Sequence, residues 1–149
     1  MATGTFDLLH MGHIYFLREA KKLGDELVVV VACDNTVRAL KHEPVNPDHL
    51  RVDIIKELKM VDIAVIGKEY DMYEIVSDLN PDIIALGYDQ LPNEKTLRDE
   101  LRKRHLQHIH IIRLPKMDSI TDLDGTRRII AKIISAYEFQ KKMENVEKT

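Results

Sequence analysis

The stretch that most constrains this chain is 27–33, Leu-Val-Val-Val-Val-Ala-Cys, apolar at every position and mostly β-branched. A strand with one face in water alternates apolar and polar residues; one that is apolar at both parities has to be covered on both faces. Runs of the same character recur at 61–66, 82–86 and 108–112, and residues 1–5 can form a first, very short strand. Between them apolar residues take helical spacing. Ile14, Leu17, Ala20 and Leu23 share one face, with Gly24 where a C-terminal cap is expected. Leu50, Ile54, Ile55 and Leu58 mark a second helix that Asp48 is placed to cap. Residues 74–79 and 94–104 supply two more, and Ile129, Ile130, Ile133, Ile134 and Tyr137 form the stripe of the last. Buried strands alternating with helices predict an α/β fold, an open parallel five-stranded sheet with helices on both faces, Rossmann-like in class.

At 149 residues, with no internal repeat and no Pro/Gly-rich linker, residues 1–149 read as one domain. The last ~10 residues, rich in Lys and Glu, are expected to fray. The formal charge of −3 gives no broad attraction to nucleic acid or to an anionic membrane, so no partner of either kind is expected. Cys33 is the only cysteine, which excludes an intrachain disulfide and a cysteine zinc site. The longest apolar run is far too short to span a bilayer, and the N-terminus lacks the pattern of a secretory signal. These features predict a cytoplasmic protein.

In an open α/β sheet, ligands gather outside the carboxyl ends of the strands. The first strand-to-helix turn there reads Gly4-Thr5-Phe6-Asp7-Leu8-Leu9-His10-Met11-Gly12-His13. A helix N-terminus offers unpaired amides and the positive end of a dipole, which favours an anion. Two imidazoles separated by two residues at that entry add donors on the same spot, and Gly4 and Gly12 leave room for close approach. Metal binding by the His pair is the sharper rival. No carboxylate or third His stands at a helical ligand spacing beside them, so phosphate binding is preferred.

These residues resemble the cytidylyltransferase-like nucleotidyltransferase family, whose first turn reads G-T-F-D, two apolar residues, then H-x-G-H. The resemblance implies an H-x-G-H nucleotidyltransferase fold and an enzyme that moves a nucleotide from a nucleoside triphosphate onto a phosphate-bearing acceptor. By that resemblance His10 and His13 stabilise the transition state at the α-phosphorus, and Thr5, Phe6, Met11 and Gly12 line the nucleotide. Asp7, in the same turn, is assigned to the acceptor or phosphate side. Positioned donors aimed at developing charge are what such chemistry needs.

The resemblance extends from Met1 to about Ile134. After the second apolar run, Asp34-Asn35-Thr36-Val37 is similar to the family's D-x-x-V, followed by Lys41 as a candidate catalytic phosphate ligand. Arg51 precedes a helix and the Val61-Asp62 pair, where the family carries an Arg; it is a candidate for contact with acceptor or triphosphate phosphates, or for holding its helix by ion pairing. Leu86-Gly87-Tyr88-Asp89-Gln90 is similar to the family's G-x-D segment, which makes Gly87 and Asp89 candidates to meet the base or ribose. The family's Ser/Thr-rich turn is replaced here by Gly125-Thr126-Arg127-Arg128-Ile129, leaving Thr126 and Arg127 as nucleotide ligands. Ser119 and Thr121 are further hydroxyl sources. Asp118, Asp122 and Asp124 read as a solvated acidic loop, and His108 and His110 as the wetter face of an edge strand. No resident metal site is assigned; Mg²⁺ or another divalent cation arrives with the triphosphate.

Within the family the chain is most similar to archaeal FAD synthases, through its compact length, the 24–31 run and the Pro81-Asp-Ile-Ile, Leu-Gly and Asp-Gln elements. That similarity implies transfer of AMP from ATP to FMN with release of pyrophosphate, by a homodimer. Glycerol-3-phosphate cytidylyltransferases share the same motifs, so CTP with glycerol 3-phosphate, or transfer to a sugar phosphate, stands as the alternative. No residue distinguishes adenine from cytosine. A catalytically silent nucleotide-binding regulatory module is the alternative of another class, favoured only by the altered Thr126 turn.

Overall fold

The computed structural model describes residues 1–40, 43–90, 93–118 and 125–147. In chain order the elements are β1 (Ala2–Gly4), α1 (Met11–Lys21), β2 (Val28–Val31), α2 (Asp34–Leu40), α3 (Asp48–Lys56), β3 (Ile63–Ile66), α4 (Glu74–Leu79), β4 (Ile83–Leu86), α5 (Glu94–Lys103), β5 (His110–Arg113) and α6 (Thr126–Glu147). The five strands form one parallel sheet in the order β3-β2-β1-β4-β5. Strand order reverses at β1, so the crevice that such a sheet offers a ligand lies at the carboxyl end of β1, between β2 and β4.

Period-two alternation divides the core into two layers. Val29, Val31, Ala64 and Ala85 point to one face, where Leu17 and Ala20 of α1 and Val52 and Ile55 of α3 cover them. Val30, Ile84, Leu86 and Ile111 point to the other, against Ile75 and Val76 of α4 and Leu97 and Leu101 of α5. The all-apolar run at 27–33 is thus explained: each parity has its own layer of helices. β3 and β5 are the edges, and His110 on β5 is exposed.

Three local expectations are corrected. Gly24 is not a left-handed cap: α1 ends at Lys22 in right-handed helical geometry, and its last turn tightens through Leu23 N–H to Ala20 O and Gly24 N–H to Lys21 O bonds. Asp48 does not cap its own helix, where Pro47 holds the cap position without a side-chain bond. Its Oδ1 accepts the adjacent His49 amide at 2.8 Å, and its Oδ2 accepts the Asp34 amide at 3.1 Å and so satisfies the start of α2. The segment read only as a strand-end motif, 34–40, is itself a helix.

The Val61-Asp62 pair also has a structural explanation. Asp62 accepts the Leu27 amide at 2.6 Å and the Lys21 ammonium at 2.6 Å, joining the entry of β2 to the approach to β3 and the end of α1. These two bonds, the Leu27 amide first, hold its carboxyl below the usual carboxylate range.

A candidate nucleotide-transfer site at the first strand-to-helix turn

At the carboxyl end of β1 the chain reverses over its own glycine. A Cβ on Gly4 would stand 2.6 Å from Phe6 Cζ and 2.7 Å from Cε2, so only glycine lets the Phe6 ring close over the strand end. Phe6 is buried and sits at φ 51°, in the left-handed region that a bulky side chain adopts only under constraint. The buried ring meets His13 edge-on, with centroids 5.2 Å apart.

His10 and His13 stack, with ring centroids 3.7 Å apart and planes inclined by 22°. His10 is the N-cap of α1, extended at φ −144°, and its Nδ1 accepts the His13 amide at 3.4 Å. A ring nitrogen that accepts an amide carries no proton, so this bond pairs with the Nε2–H tautomer of a neutral His10 ring. In a stack the in-plane lone pairs run side by side rather than converging on a point, so the geometry suits two donors on neighbouring oxygens better than chelation of one metal. Met11 and Gly12 form the first turn of α1, Met11 exposed, and bring the positive end of the helix to the same place.

Asp7, expected on the acceptor or phosphate side, and Arg51, open between phosphate contact and ion pairing, both support this turn from behind. Asp7 is buried; its two carboxylate oxygens accept the amides of Val45 at 2.9 Å and Asn46 at 2.8 Å, while Asn46 Nδ2 donates to Asp7 O at 2.8 Å. Arg51 has 0% exposure. Its Nη1 donates to Thr5 O at 2.6 Å and Ala32 O at 2.8 Å, its Nε to Asn46 O at 2.8 Å and its Nη2 to Asp34 Oδ1 at 2.6 Å. One guanidinium therefore joins the carboxyl ends of β1 and β2, the 43–47 loop and the start of α2. Of the two roles open for Arg51, this is the structural one. The peptide plane adds a consequence: with Thr5 O turned inward to Arg51, the trans N–H of Phe6 faces the opposite way.

The opposite wall is the turn after β4. Gln90 Nε2 donates to Thr3 O at 2.9 Å and Thr3 Oγ1 at 2.8 Å, and its Oε1 accepts the Gly87 amide at 3.0 Å. Arg113, at the end of β5, donates through Nη1 to Gly87 O at 2.6 Å and Gln90 O at 3.2 Å, and through Nε to Glu94 at 3.2 Å. Gly87 thus spends both backbone groups on protein partners, and Tyr88 and Asp89 are left exposed at the tip. Sequence reasoning gave Gln90 and Arg113 no role; a polar residue directly after a strand-end turn is a signal for Gln90, and Arg113 had none.

Thr126 opens α6 half-buried, with Arg127 and Arg128 exposed on its first turn. Lys41, Ser119, Thr121, Asp122 and Asp124 lie outside the described residues. Among the described residues no three or more His, Cys, Asp or Glu side chains gather to hold a metal ion, and no helix is long and apolar enough to cross a membrane.

A sheet of this order, with a helix N-terminus and a stacked histidine pair at its switch point, defines a nucleotide-handling class of α/β protein. The sequence profile described as Cytidylyltransferase-like matches residues 1–145, and the chain belongs to that family. Its relatives include an FAD synthase from Aciduliprofundum boonei, 54% identical over 90% of this chain and 89% of that protein. Another, from Archaeoglobus profundus, is 48% identical over 90% of this chain and 84% of that protein. Among solved structures, a lipopolysaccharide core biosynthesis protein from Thermoplasma volcanium is similar at TM-score 0.77 and 49% identity, over 79% of this chain and 96% of that one.

Proposed function

We propose that this protein is an FMN adenylyltransferase, forming FAD and pyrophosphate from ATP and FMN. The observation that carries the reaction class is the His10–His13 stack at the N-terminus of α1, directly beyond the central strand. The relatives named FAD synthase, at 54% and 48% identity, support the substrate pair.

A phosphate oxygen of FMN attacks the α-phosphorus of ATP; the new P–O bond forms as the bond to the β-phosphate oxygen breaks, and pyrophosphate leaves with that electron pair. His10 Nε2–H and the His13 ring donate to the non-bridging oxygens on which charge accumulates. The dipole of α1 adds a fixed positive potential, and the Arg51 and Asp7 bonds hold the turn so that no reorganisation is needed during transfer. Lys41, Thr126, Arg127 and Asp89 complete the reading as ligands of the triphosphate and ribose. A divalent cation carried by the triphosphate would neutralise part of its charge, held mainly by phosphate oxygens and water.

The same reading makes the active species a homodimer. Ile133, Ile134, Tyr137 and Phe139 of α6 are exposed and would be covered by a second copy, which light scattering of the purified protein checks.

The test of the function is to incubate the protein with ATP or CTP and with FMN or glycerol 3-phosphate, following pyrophosphate release and FAD formation. Turnover with ATP and FMN is the expected result. Turnover confined to CTP and glycerol 3-phosphate would replace this assignment with the cytidylyl one, and nucleotide binding without pyrophosphate release would leave a silent binding module.

A further inference from the structure

A second concavity lies on the same rim of the sheet, separate from the histidine turn. It is a cavity of about 320 Å³ between α2, which leaves the carboxyl end of β2, and the segment that follows β3. Ala39, Leu40, Tyr70 and Met72 form its apolar lining, with Thr36 and Glu69 among its polar groups. Leu40 is 69% exposed, Tyr70 95% and Met72 47%, an unusual concentration of large apolar side chains left in water. The two walls are joined, because Asn35 Nδ2 donates to the Glu69 carboxylate.

We infer that this cavity is the acceptor subsite and takes the planar ring system of FMN, leaving its phosphate outside and directed toward the histidines. The inference rests on the FMN adenylyltransferase reading and deepens it. Three observations carry it. The first is position. Two substrates that react at one phosphorus have to reach the histidine pair from different directions. The Gly87 turn occupies the β4 side of β1, tied there by Gln90, and the cavity opens on the β2–β3 side.

The second is lining. A phenol ring, a thioether and aliphatic groups stack well on a flat aromatic system, and the volume lies at the lower end of the range of about 300–1,000 Å³ for small-molecule pockets. The third is charge. Among the described residues Glu69 lines the cavity and no basic residue does, so this part of the lining repels a phosphate and admits an uncharged ring. The hydroxyl of Thr36, now within 3.1 Å of Cys33 Sγ, and the Asn35 amide stand where hydrogen bonds to the edge of a heterocycle would form. A free nucleobase shares part of this chemistry, and the experiment separates the two.

The decisive substitution is Ala39→Trp, at an exposed position where the added indole fills the cavity without touching the core. Met72→Asp, which makes the lining acidic, is the second variant. KM for FMN and for ATP are measured separately, riboflavin is used as an inhibitor, and circular dichroism and thermal melting check the fold. The expected result is a tenfold or greater rise in KM for FMN with KM for ATP within twofold of the parent. Riboflavin should compete with FMN in the parent and lose that inhibition in both variants. An unchanged KM for FMN in an active, folded Ala39→Trp enzyme overturns the subsite while leaving the reaction intact. A rise in KM for ATP alone assigns the cavity to the base and overturns it equally. Failure of the unsubstituted protein to form FAD is a different outcome, because it removes the adenylyltransferase reading itself.

Discussion

Arg51 donates to the carbonyl of Thr5 at 2.6 Å, across 46 residues of sequence, and that one bond sets the direction of the peptide leading into Phe6. The same guanidinium holds Ala32 O, Asn46 O and the Asp34 carboxylate, with no exposure to solvent. Arg51→Ala should therefore cost about 3–5 kcal/mol in urea unfolding, the range found when one partner of a buried pair is removed. Arg51→Lys should recover only part of it, because a single ammonium cannot reach four acceptors in fork geometry. A loss below about 0.5 kcal/mol would show that the network is not holding the strand ends.

Gly4 and Phe6 form a second dependent pair. Gly4→Ala sets a methyl carbon 2.6 Å from the Phe6 ring, and overpacking of this kind costs about 1–3 kcal/mol. Phe6→Leu is destabilising alone, but combined with Gly4→Ala it should cost less than the sum of the two singles. A double-mutant cycle by chemical denaturation reads the difference, and strict additivity would mean that the ring is not what excludes the methyl group.

His10 is the helix cap and, in the proposed mechanism, a donor to the α-phosphate, and substitutions can separate the two. Asn accepts the N-terminal amides of a helix well, so His10→Asn should keep the melting temperature close to that of the parent while lowering kcat. The expected fall is about 10²–10³, the usual cost of one transition-state donor. His13→Ala should lower kcat by a similar factor with little change in KM. Retention of full turnover by both variants would remove the histidines from the chemistry.

Gln90→Ala releases the Gly87 turn from Thr3. Net hydrogen-bond contributions of about 0.5–1.5 kcal/mol predict a rise of a few-fold to about tenfold in KM for the nucleotide, with a smaller fall in kcat. Steady-state kinetics at saturating acceptor distinguish this from general destabilisation, which would lower the amount of active enzyme and leave KM in place.

Acid stability follows from the carboxylates held below their ordinary range. Asp62 is lowered by the Leu27 amide and Lys21, and Asp71 by the Arg104 guanidinium first and the Tyr73 amide second. A carboxyl whose folded pKa is depressed contributes stability above its unfolded value near 3.8, and that contribution is lost as pH falls through the folded value. Stability should thus be flat through neutral pH and decline below about pH 4. Asp62→Asn should make the decline shallower, as measured by unfolding midpoints between pH 2.5 and 7.

The layer architecture was legible because it rests on local pattern. The run at 27–33 is apolar at both parities and rich in β-branched residues, which suits a strand covered on both faces. The histidine turn was legible for a similar reason: the glycines, histidines and helix start that form it are contiguous, so their spacing already places them together. The misreadings arose where a side chain had a choice of distant partners. Asp48 opens α3 and accepts the His49 amide there, yet its other carboxylate oxygen reaches an amide of α2. Asp7 was assigned to the acceptor or phosphate side and Arg51 was open between phosphate contact and ion pairing, and only the packing of the 43–47 loop shows Asp7 turned to backbone amides and Arg51 to backbone carbonyls and Asp34.

The sequence by itself determined the strand-helix alternation, the position of the histidine pair and the family, because periodicity and motif spacing are properties of the linear chain. Tertiary structure decided which polar residues hold the turn through bonds to other parts of the chain. Hydrogen bonds are short-ranged and directional, and a separation of 46 positions between Thr5 and Arg51 carries no trace of the 2.6 Å that separates their atoms in the fold.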